Sequence, residues 1–293
     1  MKWVLFGHRG WIGGQVVDLL TIDDETIIRA EVRADDEYGV RELLSREKPD
    51  RVISMVGRTH GEGFTTIDYL EHKDKLFENV RDNMYSPFVL ATICSELDIH
   101  LTHVNTGCIF SYDDEHALGG NIGFTEASLP NFFGSSYSVV KGFTDRMMKL
   151  IKGPILTLRI RMPITADRNP RNFITKITAY DKICSMPNSM TVLPDLLPIM
   201  LDMARNKVVG TVNLTNPGVI SHNEILEMYR DIIDPYFVWE NFSIEEQSTV
   251  LKSDRSNNYL DTTLLQTMYP RVKHIHESVK DILLQMKRNV KAT

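Results

Sequence analysis

A short apolar run, Trp3-Val-Leu-Phe6, passes directly into Gly7-His-Arg-Gly10-Trp-Ile-Gly13-Gly14 and from there into the helical Gln15-Val-Val-Asp-Leu-Leu20. Strand, glycine turn and helix in that order restrict the chain more than any other feature. Glycines let the backbone turn sharply and approach a pyrophosphate, whose charge then rests on the open amides at the helix start. Gly7, Arg9, Gly10, Trp11, Ile12 and Gly13 are therefore the candidate dinucleotide-binding residues of this turn.

The rhythm that follows is α/β. Thr26-Ile-Ile-Arg-Ala-Glu-Val32 reads as a second strand whose end lies near an adenosine ribose. The charges there conflict. Glu31 suits a free 2'-hydroxyl, whereas Arg33, helped by Arg9, suits a 2'-phosphate, and the two cations favour NADP, with NADH as the alternative. A helix over about 39–47 leads to a third strand, Arg51-Val-Ile-Ser-Met-Val56, and to the loop beginning Gly57-Arg58, which borders the cofactor. One or two amphipathic helices fill about 69–97, with Asn83 near the middle. Leu101–Asn105 and Ile155–Ile160 are the fourth and fifth strands.

Beyond that point the alternation loosens. A helix begins within Asn169–Ile177, Met190–Leu193 and Gly210–Thr215 read as strands, and Ser221-His-Asn-Glu224 is a capping box. The expected fold is a Rossmann-type doubly wound parallel sheet over 1–162, with 188–216 returning to it. A smaller, interleaved C-terminal substrate lobe takes 163–187 and 217–293.

The chemistry gathers between Thr106 and Lys141. Thr106 and Cys108 follow the fourth strand, at the carboxyl end where ligands collect on open α/β sheets. Tyr137 and Lys141 stand four residues apart on a helix capped by Ser135 or Ser136, on one face and roughly 6 Å apart along the axis. A phenol beside an ammonium is expected to lose its proton more readily, which makes Tyr137 a proton donor or acceptor near neutral pH. A strand-end hydroxyl followed by this pair is the constellation of a keto-reductase, and Cys108 adds a second chemistry.

A net charge of −6 disfavours a general nucleic-acid or membrane-surface binder, though not a local basic pocket for an anionic small molecule. Three cysteines without paired or metal-type spacing fit a reducing compartment; Cys94 and Cys184 read as structural, and no metal site is expected. The opening apolar run is too short for a signal peptide and no later stretch is long enough to span a bilayer, so the expected location is the cytoplasm.

Thr106, Tyr137-x-x-x-Lys141 and the glycine pattern resemble the extended short-chain dehydrogenase/reductases. Longer strings narrow this: Gly10-Trp-Ile-Gly-Gly14, Thr106-Gly-Cys-Ile-Phe110, Asn169-Pro-Arg-Asn-Phe-Ile-Thr-Lys-Ile177, Thr215-Asn-Pro-Gly218 and Arg255-Ser-Asn-Asn258. They resemble the nucleotide-rhamnose synthase/epimerase-reductase family, whose activity also forms the C-terminal part of plant UDP-rhamnose synthases. The resemblance covers nearly the whole chain and is weakest over about 20–75. It implies inversion of C3 and C5 of UDP-4-keto-6-deoxy-D-glucose, then reduction of C4 with NADPH to UDP-L-rhamnose.

On that resemblance Cys108 is the base, Lys176 the acid on the opposite face, Thr106 the holder of the C4 oxygen, Tyr137 the proton donor and Lys141 its tuner. Asn83 lines the nicotinamide side, and Arg255 pairs with the diphosphate, with Asn257 or Asn258 nearby. Asn172 and Asn216 join the substrate-binding candidates, and a homodimer is the expected assembly. A reductase without epimerase activity is the nearest rival, and Cys108 argues against it. A non-catalytic reductase-like binding or regulatory subunit is the other, and it would typically lack the Tyr or Lys found here.

Overall fold

The computed structural model describes residues 1–292 and divides into two compact units. The first comprises Met1–Ile109, Leu129–Arg159 and Leu197–Val212; the second comprises Phe110–Ser128, Ile160–Leu196 and Asn213–Thr293. Residues 110–128, grouped above with the cofactor domain, thus fall in the second unit.

In the first unit the strands are β1 (Lys2–Phe6), β2 (Thr26–Arg29), β3 (Arg51–Ser54), β4 (His100–Thr106) and β5 (Ile155–Ile160). With β7 (Gly210–Asn213) they form a six-stranded sheet in the order β2-β1-β3-β4-β5-β7. The β1–β2, β1–β3 and β3–β4 pairs are parallel. The chain runs outward from β1 to β2 and then crosses back to β3, so the order reverses beside the loop that follows β1, which is where doubly wound sheets bind nucleotides. β3 is buried along its whole length, as a strand covered on both faces must be. The helices flanking the sheet include α1 (Trp11–Ile22), α2 (Glu37–Glu47), α4 (Ser86–Glu96) and α5 (Ser136–Met148). Val4, Phe6, Leu44, Val52, Leu90 and Leu101 lie in one buried cluster there.

The segment expected as one or two helices is more broken. It contains a 3-10 turn (Ile67–Glu71), α3 (Leu76–Val80), a π turn (Arg81–Tyr85) and then α4.

The second unit has its own apolar core, in which Ile164, Ile174, Met190, Ile225, Ile275 and Leu283 are buried together. Its helices include α6 (Phe173–Ile177), α8 (His222–Ile232), α9 (Ile244–Val250), α10 (Thr263–Met268) and α11 (Ile275–Ala292), and β6 (Lys182–Ile183) pairs in parallel with β8 (Glu240–Asn241). The expected capping box at Ser221 and Glu224 is present, with both hydrogen bonds formed.

The stretch Met190–Leu193 is not a strand. Only Val192 makes a bridge, to Ile164, and α7 (Leu193–Arg205) starts at the residue after it. Pro194, in the first turn, is compatible with a helix because the amide it lacks has no intrahelical partner there.

Candidate active site

Gly7, just past β1, has φ +81°, and a Cβ there would stand 2.9 Å from the Met55 carbonyl carbon, so only glycine fits. A Cβ on Gly13 would overlap the Gly7 carbonyl oxygen, which lets α1 press against the turn. Gly10 is the N-cap of α1 and offers no capping side chain, so the helix start presents its amides as an anion site. A dinucleotide pyrophosphate fits this turn on steric and electrostatic grounds alike.

At the ribose end, Glu31 pairs with Arg9 and lies 3.6 Å from His8. Arg33 pairs with Asp35 at 2.8 Å and with Asp82 at 3.3 Å. Both cations expected to meet a 2'-phosphate thus already share carboxylates.

Asn83 sits in the π turn, a geometry often found at functional sites. Its carbonyl accepts from the Arg58 amide at 2.9 Å, and its NH2 donates to the Arg58 carbonyl at 2.9 Å and to Asn79 at 2.8 Å. It clamps the Gly57–Arg58 loop in place. Arg58 in turn donates to Asp82 at 2.6 Å. Burial pushes the Asp82 carboxyl up, but hydrogen bonds from Arg81 and Arg58 outweigh it and hold the carboxyl below its ordinary range.

At the end of β4, the Thr106 hydroxyl accepts from the Cys108 amide at 3.0 Å, and its polarity favours ionisation of the nearby Tyr137 phenol. One hydroxyl therefore neighbours both the thiol-bearing loop and the phenol. Ser135 caps α5, accepting from the Ser138 amide at 3.0 Å, and the Ser138 hydroxyl donates to the Cys108 carbonyl at 2.7 Å. Cys108 is partly buried, packed against the cluster of Tyr69, Leu70 and Tyr137.

The Tyr137 phenol is not acidified. Burial pushes it up, the nearby Cys108 adds to the rise, and only the Thr106 hydroxyl opposes them. This corrects the expectation that Lys141 would release its proton: at neutral pH Tyr137 is a protonated donor.

Lys141 is buried on the same helix, its Nζ 3.9 Å from the position a Cβ on Gly57 would take. Burial pulls its pKa from 10.5 down to about 8, and Asp145 acts in the opposite direction. Asp145 is held by two 2.8 Å hydrogen bonds from the buried Arg159 of β5, which fixes α5 to the sheet. The fold therefore favours the neutral amine, so a charged Lys141 costs stability below about pH 8, and the cost fades as the pH rises from 8 to 10.5. Lys141→Met is expected to stabilise the dinucleotide-free protein at neutral pH by about 2–4 kcal/mol. Thermal melts from neutral to strongly alkaline pH check this, with the gain shrinking as the pH rises; a variant less stable than wild type at neutral pH is the contrary result.

The second unit carries the remaining candidates. Lys176, on α6, is pulled down by burial and then by Arg171 and Arg255, so these three cations share one neighbourhood. Arg255 donates to the Ser253 carbonyl at 3.0 Å. Asn258 is buried and donates to the Phe110 carbonyl at 2.9 Å and to Ser256 at 3.0 Å. Arg161 braces this loop, donating to Asn188 at 2.8 Å and to the Ser256 carbonyl at 2.9 Å. Asn172 caps α6, and its NH2 donates to the carbonyls of Thr165 at 2.9 Å and Asp167 at 2.7 Å. Asn216 accepts from the Val192 amide at 2.8 Å and donates to Ser278 at 2.9 Å. The side chains of Asn172 and Asn216 tie backbone segments together.

Sequence reading missed the wall beside Cys108. Phe64, Ile67, Tyr69 and Leu70 come from the irregular segment after β3, and Glu71 accepts the Ser136 amide at 2.8 Å, bracing the start of the helix that carries Tyr137. Only the apolar spacing within Phe64–Leu70 hinted at it.

A nucleotide-type sheet bearing Thr106 at a strand end and the Tyr137/Lys141 pair on the next helix defines an extended short-chain dehydrogenase/reductase. The dTDP-4-dehydrorhamnose reductase ortholog of Clostridium acetobutylicum has the same fold, with a TM-score of 0.80 at 17% identity over 100% of both chains. No protein-family model matches the chain. The crystal structure of a UDP-rhamnose synthase from Acanthamoeba polyphaga mimivirus superposes with a TM-score of 0.95 at 55% identity, covering 98% of this chain and 99% of that one. A bifunctional dTDP-4-dehydrorhamnose 3,5-epimerase/dTDP-4-dehydrorhamnose reductase from Arabidopsis thaliana is 45% identical over 95% of this chain and 91% of its own. The chain belongs to this nucleotide-rhamnose synthase/epimerase-reductase family.

Proposed function

We propose that the protein is an NADPH-dependent 3,5-epimerase and 4-keto-reductase that converts UDP-4-keto-6-deoxy-D-glucose to UDP-L-rhamnose. The observation that carries the reading is the Thr106 hydroxyl, which holds the Cys108 loop and neighbours the Tyr137 phenol, and this supports an epimerase base beside a reductase acid.

A C4 carbonyl acidifies the protons on C3 and C5. Cys108, as thiolate, takes one of them, an S–H bond replacing the C–H bond and the electron pair passing into an enolate on the C4 oxygen. Return of a proton to the opposite face inverts the centre. The family resemblance assigns that step to Lys176, whose lowered pKa makes its ammonium a readier donor. The Thr106 hydroxyl holds the C4 oxygen. Tyr137, protonated because it is buried, delivers its proton there in the reductive step, and the family resemblance assigns to Lys141 the steadying of the phenolate left behind.

The glycine turn, Gly57, Asn83 and Lys141 hold the dinucleotide. When bound, NADPH supplies the hydride. Because Glu31 competes for Arg9, Glu31→Gln is expected to raise the preference for NADPH over NADH roughly tenfold in binding. Fluorescence titration of both reduced dinucleotides measures this, and an unchanged ratio removes Glu31 from cofactor choice.

Incubation with UDP-4-keto-6-deoxyglucose and NADPH, followed by NMR of the sugar, tests the whole reading. UDP-L-rhamnose is the expected product; a reduced sugar that keeps the D configuration at C5 would leave only a reductase.

A further inference from the structure

We infer that Phe64 and Ile67 form a methyl-reading wall that selects 4-keto sugars with CH3, rather than CH2OH, on C5. The inference rests on the proposed epimerase reading and deepens it. Tyr69, Leu70 and Tyr137 are buried in one apolar cluster, with Phe64, Ile67 and Cys108 packed against it and partly exposed. The sulfur and the two apolar side chains therefore flank one three-residue cluster that includes the phenol.

The chemistry sets what must touch that surface. To take the C5 proton, the sulfur has to come within contact distance of C5, and C6 is a single bond from that carbon. Whatever C6 carries is thus held beside Cys108, next to the apolar cluster that Phe64 and Ile67 extend. A methyl group gains from this contact. A hydroxyl in its place gives up hydrogen bonds to water, and the Phe64 and Ile67 side chains have no polar atom to replace them. The Tyr69 hydroxyl is already committed to Glu78 at 2.7 Å, and the Tyr137 hydroxyl serves the C4 oxygen in the reading above. An apolar pocket of this kind rejects an added hydroxyl by about 100-fold.

The irregular backbone serves this arrangement. Gly61 and Phe64 bridge each other in a tight antiparallel turn, and a Cβ on Gly61 would collide with the Tyr69 ring. Phe64 is further fixed by an edge contact with His72, ring centroids 4.7 Å apart. The wall is therefore preformed.

The test compares kcat/KM for UDP-4-keto-6-deoxyglucose with that for UDP-4-ketoglucose, its 6-hydroxy counterpart, in wild type, Ile67→Thr and Phe64→Ser. The ratio of two substrates on one protein does not depend on how much of a variant is correctly folded. Wild type is expected to favour the 6-deoxy sugar by about 100-fold, and each variant to lower that ratio at least about tenfold. Equal use of both sugars by wild type, or ratios unchanged in both variants, overturns the wall. Failure of wild type to turn over the 6-deoxy sugar at all would instead remove the epimerase/reductase reading beneath it.

Discussion

Tyr137→Phe is expected to slow NADPH oxidation by about 10²- to 10⁴-fold, the range for loss of a positioned general acid, while solvent exchange at C3 and C5 stays within a few-fold of wild type. The phenol is buried, and burial together with Cys108 keeps it protonated, so it stands ready as a donor to a developing alkoxide. Phenylalanine preserves the ring packing against Tyr69 and Leu70 and deletes only the phenolic hydroxyl. Parallel assays of dinucleotide absorbance and sugar NMR separate the two steps. Equal loss of exchange and reduction would mean that the phenol also serves the epimerase half.

Cys108→Ser is expected to have the complementary effect, with incorporation of solvent deuterium at C3 and C5 falling on the order of 10³-fold. Serine keeps the size and the backbone amide that Thr106 accepts, so the Thr106 contact survives. What it loses is acidity: an unperturbed thiol is a few per cent ionised at neutral pH and a hydroxyl is not measurably so. Exchange at the wild-type rate in this variant would assign the base to another group. A shift of the rate optimum to higher pH with partial exchange would still place the proton on residue 108.

Much of this was legible in the sequence, and the exceptions share a cause. The β1–glycine turn–α1 unit, the β4 end with Thr106 and Cys108, and the Ser135 and Ser221 caps are local patterns, each set by residues within one turn or strand. Met190–Leu193 misled because its apolar, β-prone residues are buried for a different reason, packing in the second unit's core just ahead of α7. The direction of the Tyr137 shift was wrong because helix spacing reveals the neighbouring Lys141 but not the depth of burial, and desolvation dominates. Asn172 and Asn216 look like ligand residues in a string of letters, yet each is occupied by backbone partners, Asn216 by ones far away in sequence. The wall of Phe64 and Ile67 lies where the family resemblance is weakest and the backbone least regular, so only a short apolar spacing, and no motif, marked it.

Wild-type protein mixed with UDP-4-keto-6-deoxyglucose in D2O, with no dinucleotide added, tests most directly whether a thiol and a phenol run separate chemistries at one Thr106. Against an enzyme-free control, NMR is expected to show deuterium entering both C3 and C5 while the C4 ketone persists. Protium retained at both carbons, with exchange appearing only when NADPH is consumed, would contradict an epimerase base at Cys108 that acts ahead of the reduction.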